Sequence, residues 1–292
     1  MISKITAIIM AIVSIITNLS GVLPAKQVFY TDVAYGTHEN QLLDICFPEN
    51  PEKNEGVVIF LHGGAWVRGS KSTFDNRVRK TTKAVGCISA SIGYRFISKT
   101  THCTDLLKDI DAALIKIKSM AETRGINCDK VMLVGFSAGA HLATLYSYTQ
   151  KYSAPIMPCA VVSYSAPTDL RNEDFLFNNS SFSADTAMVL MSYLTGVNLL
   201  KLSEKDRNAV LYKYSPIKYL SSDSVPTLAV HGALDTVVPV EDARIFKTAL
   251  IKNEVIHEYI ELPDSGHSLD NDTYLMEKSE AAFVDFVNMY LK

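Results

Sequence analysis

The 292-residue chain is long enough for one large α/β domain or two small ones, and for a substantial core. With 48% hydrophobic and 20% charged residues it has the composition of an ordinary globular protein. Its 28 basic and 31 acidic residues give a net charge of −3 and no basic stripe, which argues against a nucleic-acid partner.

The first segment stands apart. Lys4 precedes an apolar stretch from Ile5 to Ile16, and small and polar residues follow. That layout predicts a secretory signal peptide over residues 1–25 and an extracytoplasmic location. No cleavage site is evident, because neither Gly21 nor Ala25 has a small residue two positions before it. An uncleaved membrane anchor over residues 5–25 is the rival reading.

Beyond it, QVFYTDVAY and QLLDICFP predict two opening strands. GVVIFLHGG is a continuous apolar strand ending in glycines. A helix is expected over 72–84, then the strand CISASIGYR, then the amphipathic helix TDLLKDIDAALIKIKSMAE. KVMLVGFS reads as a strand and AGAHLATLYSYTQ as a helix. AVVSYSAP, TLAVHGALD and HEYIELPDSGH complete eight strands, with helices expected over 240–252 and 273–290. Fully apolar strands alternating with amphipathic helices predict a mostly parallel sheet covered on both faces, with an antiparallel edge from the opening pair. Residues 168–217 are too long for a plain connection and predict a small helical cap insert within a single domain over 26–292. A helix packed on the sheet edge is the alternative for that segment.

Five cysteines form neither a C-x-x-C pair nor an even disulfide framework. Cys46, Cys87 and Cys159 lie in apolar strand-like runs and are expected to be buried thiols. Cys103 and Cys128 fall near opposite ends of one predicted helix. No H-E-x-x-H is present, so no structural or catalytic metal is expected. GAWVRGSKS approaches a P-loop, but Ser70 separates Gly69 from Lys71 and breaks the register.

Chemistry concentrates in VMLVGFSAGAH, residues 131–141. Ser137 ends an apolar strand and opens a helix, and Gly135 and Gly139 flank it at −2 and +2. A sharp strand-to-helix turn needs small residues at those two positions, which is the logic of the G-x-S-x-G nucleophile elbow. A serine needs a base. His141 lies four residues on along the same helix and points away from the reaction. His62 and His231 each precede a glycine at a strand end and are expected to brace loops. His38, His102 and His257 lie in polar contexts without a motif. His267, after the last strand in ELPDSGHSL, is the best base. Asp235, ending the preceding strand in AVHGALDTVVP, is the best acid to orient it. Asp169, Asp174 and Asp264 are rivals. LHGGAW at 61–66 offers glycine-freed backbone N–H groups to a developing oxyanion, together with the N–H of Ala138. Asn178, Asn179 and Asn271 begin N-x-S/T sequons, relevant only in a eukaryotic secretory pathway.

These motifs together, with DVAYG, SIGYR and YSPIKYL, run in order over most of residues 30–270. The chain resembles the α/β-hydrolases of the acetyl-esterase and lipase branch, near the hormone-sensitive-lipase group and the BD-FAE-like carboxylesterases. The resemblance implies an α/β-hydrolase fold, a triad of Ser137, Asp235 and His267, and an oxyanion hole from Gly64, Ala65 and Ala138, with Gly63 shaping the turn. Ala65 stands where many relatives have a third glycine; its N–H survives. Trp66, the only tryptophan, is expected to brace this loop and border the pocket. Phe175, Phe177, Met188 and Met191 of the insert are the expected pocket contacts. The implied function is hydrolysis of short acyl or acetyl esters, carbohydrate esters among them, through an acyl-enzyme. An arylformamidase-like amidase is the neighbouring alternative, since H-G-G-x-W also occurs there. A non-catalytic hydrolase-like binding protein is the alternative from another class.

Overall fold

The computed structural model describes residues 27–49, 51, 56–176 and 183–292. The leader-like segment, Phe177 and the sequons at Asn178 and Asn179 lie outside the described residues.

Eight strands form one sheet: β1 (Val28–Ala34), β2 (Leu42–Phe47), β3 (Val57–Leu61), β4 (Ile88–Ile92), β5 (Lys130–Phe136), β6 (Met157–Tyr164), β7 (Thr227–Gly232) and β8 (His257–Leu262). Their spatial order is β1-β2-β4-β3-β5-β6-β7-β8. β2 pairs antiparallel with both β1 and β4, and every other pairing is parallel. The opening pair therefore makes the antiparallel edge that the sequence predicts.

Helices cover both faces. They are α1 (Asp75–Val85), α2 (Cys103–Glu122), α3 (Ala138–Thr149), α4 (Glu173–Leu176), α5 (Ala184–Thr195), α6 (Glu204–Lys213), α7 (Val240–Lys252) and α8 (Thr273–Phe286). The double cover explains why β3 is apolar at every position: Val57, Ile59 and Leu61 pack on one side, against residues of α2 and α3. Val58 and Phe60 pack on the other, against α1 and α8. α3 shows little amphipathic pattern because Ala138 to Ser147 are all buried. All five cysteines are free thiols, four of them buried and Cys159 half-buried.

The long segment between β6 and β7 carries α4, α5 and α6, with short 3₁₀ turns at Leu199–Lys201 and Pro216–Tyr219. Phe175, Leu176, Met188, Met191, Leu194, Leu199 and Leu211 join the same apolar cluster as β3 and α2. Its two roots are tied together, with Leu170 N donating to Ser215 Oγ (3.0 Å) and Ile217 N donating to Thr168 O (3.1 Å).

Candidate active site

At Ser137 the chain turns from β5 into α3 with φ 55° and ψ −121°. A non-glycine residue with positive φ is strained, and surrounding structure has to hold it there. The flanking glycines are required by backbone atoms. A Cβ on Gly135 would sit 2.3 Å from Gly139 O, and one on Gly139 would sit 2.2 Å from Leu61 O. Ser137 N donates to Tyr164 O (2.8 Å), which pins the elbow to the next strand. The first N–H groups of α3 have no partner within the helix, so they and the helix dipole favour negative charge at this point.

His267 lies between Ser137 and Asp235 and bonds to both. Its Nε2 lies 2.9 Å from Ser137 Oγ and its Nδ1 lies 2.7 Å from Asp235 Oδ2. With Nδ1–H donating to the carboxylate, Nε2 is left bare to accept from the serine hydroxyl. The Phe136 ring packs 5.1 Å from the imidazole, and Ser165 Oγ donates to His267 O (3.1 Å). Ser165 is itself buried with φ 51°.

Asp235 Oδ1 accepts from Val237 N (2.8 Å) and Val238 N (2.9 Å). Burial pushes its carboxyl up. Hydrogen bonds from His231 and His267, the charge of His267 and the Val238 N–H outweigh burial, and the net result lies far below the usual carboxylate range. His231 Nε2 lies 2.8 Å from Val238 O and 3.3 Å from Asp235 Oδ2. It thus braces its loop, as expected, and also borders the acid, which the sequence reading missed.

The rival residues go elsewhere. Arg171 binds both oxygens of Asp169 (2.6–3.0 Å). Asp174 and Asp264 are exposed. His62 is buried, stacked on Tyr94 at 4.3 Å, with Nδ1 2.8 Å from Gly63 O; burial pushes its pKa down. His38 Nδ1 accepts from Asn40 N, His102 Nδ1 meets Tyr193 O, and His257 Nδ1 meets Val255 O. His141 is fully buried between Trp66 and Tyr214 O.

Ser137 opens into a small cleft lined by Ala65, Trp66, Ala138, Pro167, Phe175, Leu190, Val237 and Val238. Ala65 and Ala138 thus border the nucleophile. Gly64 is not in this lining. Its φ of 120° is open only to glycine, and its carbonyl accepts from Val67 N and Arg68 N, so it shapes the turn that presents Ala65. Phe175 and Trp66 line the cleft. Met188 and Met191 do not. They share the buried stripe of α5 with Ala187 and Leu194, which faces the main core, while half-buried Leu190 faces the cleft. Among the described residues no group of His, Cys, Asp or Glu could hold a metal ion. A larger groove between α1 and α8, lined by Arg77, Lys80 and Phe283 among others, contains no triad member.

The BD-FAE family matches residues 43–250. Esterase LipC of Mycobacterium tuberculosis is 29% identical over 246 residues, covering 82% of this chain and 59% of LipC. Esterase LipQ of the same organism is 28% identical over 255 residues, covering 82% and 57%. The chain therefore spans less than three fifths of the length of these relatives. Among solved structures, a bacterial heroin esterase superposes with a TM-score of 0.72 at 17% identity, covering 98% of this chain and 90% of that one. A truncated carbohydrate esterase from gut microbiota gives 0.70 at 20%, covering 90% and 96%. At these identities the likeness is one of fold.

Proposed function

The chain belongs to the BD-FAE family, and from that premise we propose that it hydrolyses carboxylic esters, with Ser137 as nucleophile, His267 as base and Asp235 as the acid that orients it. The observation that carries this reading is the unbroken line from Ser137 Oγ to His267 Nε2 (2.9 Å) and from His267 Nδ1 to Asp235 Oδ2 (2.7 Å).

In the proposed sequence His267 Nε2 takes the hydroxyl proton as Ser137 Oγ attacks the ester carbonyl. The imidazolium that forms is stabilised by the ionised Asp235. The oxyanion of the tetrahedral intermediate accepts from the N–H groups of Gly64, Ala65 and Ala138, with Gly64 also holding the turn. One such donor lowers the barrier by about 3 kcal/mol. His267 then gives its proton to the leaving alkoxide, and a water activated by the same nitrogen releases the acid from the acyl-enzyme. The chemistry needs neither metal nor cofactor.

The small cleft closed by Phe175, Leu190 and Trp66 favours short acyl chains, acetyl above all. The alcohol side, carbohydrate included, faces outward in this reading. The leader-like residues 1–25 support export.

A fluorophosphonate probe and p-nitrophenyl esters from C2 to C8 test the proposal. The expected result is labelling at Ser137 alone, turnover greatest at C2 to C4, and loss of both in Ser137→Ala with folding retained. Labelling elsewhere, or turnover that survives Ser137→Ala, overturns it. Acetylated xylan tests the carbohydrate substrate separately.

A further inference from the structure

Two consecutive non-glycine residues of the oxyanion loop, Ala65 (φ 52°) and Trp66 (φ 60°), sit in the left-handed region. Such a pair persists only where its surroundings leave it no alternative. Trp66 is held at both ends. Its carbonyl accepts from Ile97 N (2.9 Å), and its indole Nε1–H donates to His141 Nδ1 (3.3 Å), with the rings edge to face at 5.2 Å.

An indole N–H can only donate, so His141 Nδ1 must be the bare nitrogen and Nε2 must carry the proton. Nε2 in turn lies 2.8 Å from the carbonyl of Tyr214, at the exit of the insert. One tautomer satisfies both contacts. Tyr214 Oη continues the line by donating to Thr195 O, at the end of α5, at 3.1 Å. His141 itself is fixed on α3, where its N–H donates to Ser137 O (2.9 Å). Full burial pushes its pKa down to about 4, against the opposing pull of the Tyr214 carbonyl, so the neutral form prevails.

We propose that His141 is a positioning residue: through a relay from Trp66 to His141 to Tyr214 it locks the oxyanion loop and the insert to the helix that carries the nucleophile. This rests on the esterase reading for its catalytic consequence but not for its physical existence. A relay that places Ala65 N–H matters when charge develops on the substrate oxygen, so its loss lowers kcat and leaves KM nearly unchanged.

Trp66 is the only tryptophan, so a ¹⁵N-labelled sample has one indole N–H resonance, and its hydrogen exchange reads the relay without turnover. The variants are His141→Leu, His141→Gln and Trp66→Phe. Trp66→Phe keeps an aromatic ring and removes the donor, which keeps the test open if His141→Leu fails to fold. The expected results are indole exchange at least about tenfold faster in His141→Leu, with protection restored in part by the amide of His141→Gln. On p-nitrophenyl acetate, kcat should fall roughly ten- to hundredfold in His141→Leu and Trp66→Phe, with KM within about twofold. The double variant should be no worse than the weaker single. Unchanged indole exchange in a folded His141 variant, or wild-type kcat in Trp66→Phe, overturns the relay while Ser137 labelling leaves the esterase reading standing. Protected indole exchange that depends on His141, in a protein whose Ser137 no probe labels, supports the relay and sinks the esterase reading alone.

Discussion

At Asp235 a carboxylate with its side chain wholly out of water stays ionised because two backbone N–H groups and two imidazoles surround it. Only this carboxylate can hold His267 in the tautomer that leaves Nε2 bare. Asp235→Asn is expected to lower kcat on the order of a thousandfold or more. Asp169→Asn, which loses only contacts to Arg171, should stay within a few-fold of wild type. Steady-state rates on one short ester decide between them, and comparable losses at both positions would dissolve the assignment. The strain at Ser137 has its own signature. Glycine in place of alanine ordinarily costs about 0.5–1 kcal/mol. At φ 55° and ψ −121° the Cβ is the source of strain, so Ser137→Gly should be at least as stable as Ser137→Ala. Urea unfolding of the two inactive variants reads the difference directly.

The helix α5 separates two roles by side-chain direction. Met191 points into the core with no exposure, and Leu190, one residue earlier, borders the cleft. Leu190→Ala should widen the cleft and shift the acyl preference toward longer chains, by roughly tenfold per added methylene at the new optimum. Met191→Ala should instead remove about 2–5 kcal/mol of stability with the chain-length profile unchanged. Esters from C2 to C8, assayed beside thermal unfolding, distinguish them. If Met191→Ala moved the profile and Leu190→Ala did not, the orientation of α5 would be wrong. At the elbow the element-level constraint is harder still. A Cβ at Gly139 would meet the carbonyl oxygens of Leu61 and His62, at 2.2 and 2.4 Å, and backbone cannot rotate aside.

Across the whole molecule, Asp242 at the start of α7 ties the root of the insert to the turn that carries the acid. Its fully buried carboxylate accepts from Thr168 N (2.7 Å), Thr168 Oγ1 (2.7 Å) and Asp169 N (3.0 Å). Burial raises its pKa to about 6, more than the bonds from Thr168 and Asp169 and the nearby His231 lower it. A raised carboxyl binds its proton more tightly in the folded state than in the unfolded one. Its contribution to stability is therefore complete below about pH 4 and is lost as pH rises through about 6. Asp235 has the opposite sign: its contribution is present above about pH 4 and is lost as pH falls toward its depressed pKa. Urea titrations of wild type and Asp242→Asn between pH 4 and 7 isolate the first effect. Wild type should lose stability relative to the variant across that window, and parallel curves would mean that Asp242 titrates as an ordinary carboxyl.

The sequence by itself determined whatever depends on neighbours along the chain. Apolar runs marked the central strands such as β3 and β5, because strands buried on both faces have no polar side to show. Gly135, Ser137 and Gly139 marked the elbow, because its sterics are local to five residues. Position after the last two strands pointed to Asp235 and His267, since parallel strands deliver their carboxyl ends to one edge of the sheet. Tertiary structure alone decided which way each helix faces and what it meets. Met188, Met191 and Leu190 are all apolar, and only the docking of α5 on the core turns two of them inward and the third to the cleft. His141 reads as an idle residue one turn past the nucleophile until Trp66 and Tyr214, 75 and 73 residues away, close on its two nitrogens. Asp242 likewise acquires its role from Thr168, 74 residues earlier. These contacts depend on distance in space, which local pattern does not carry.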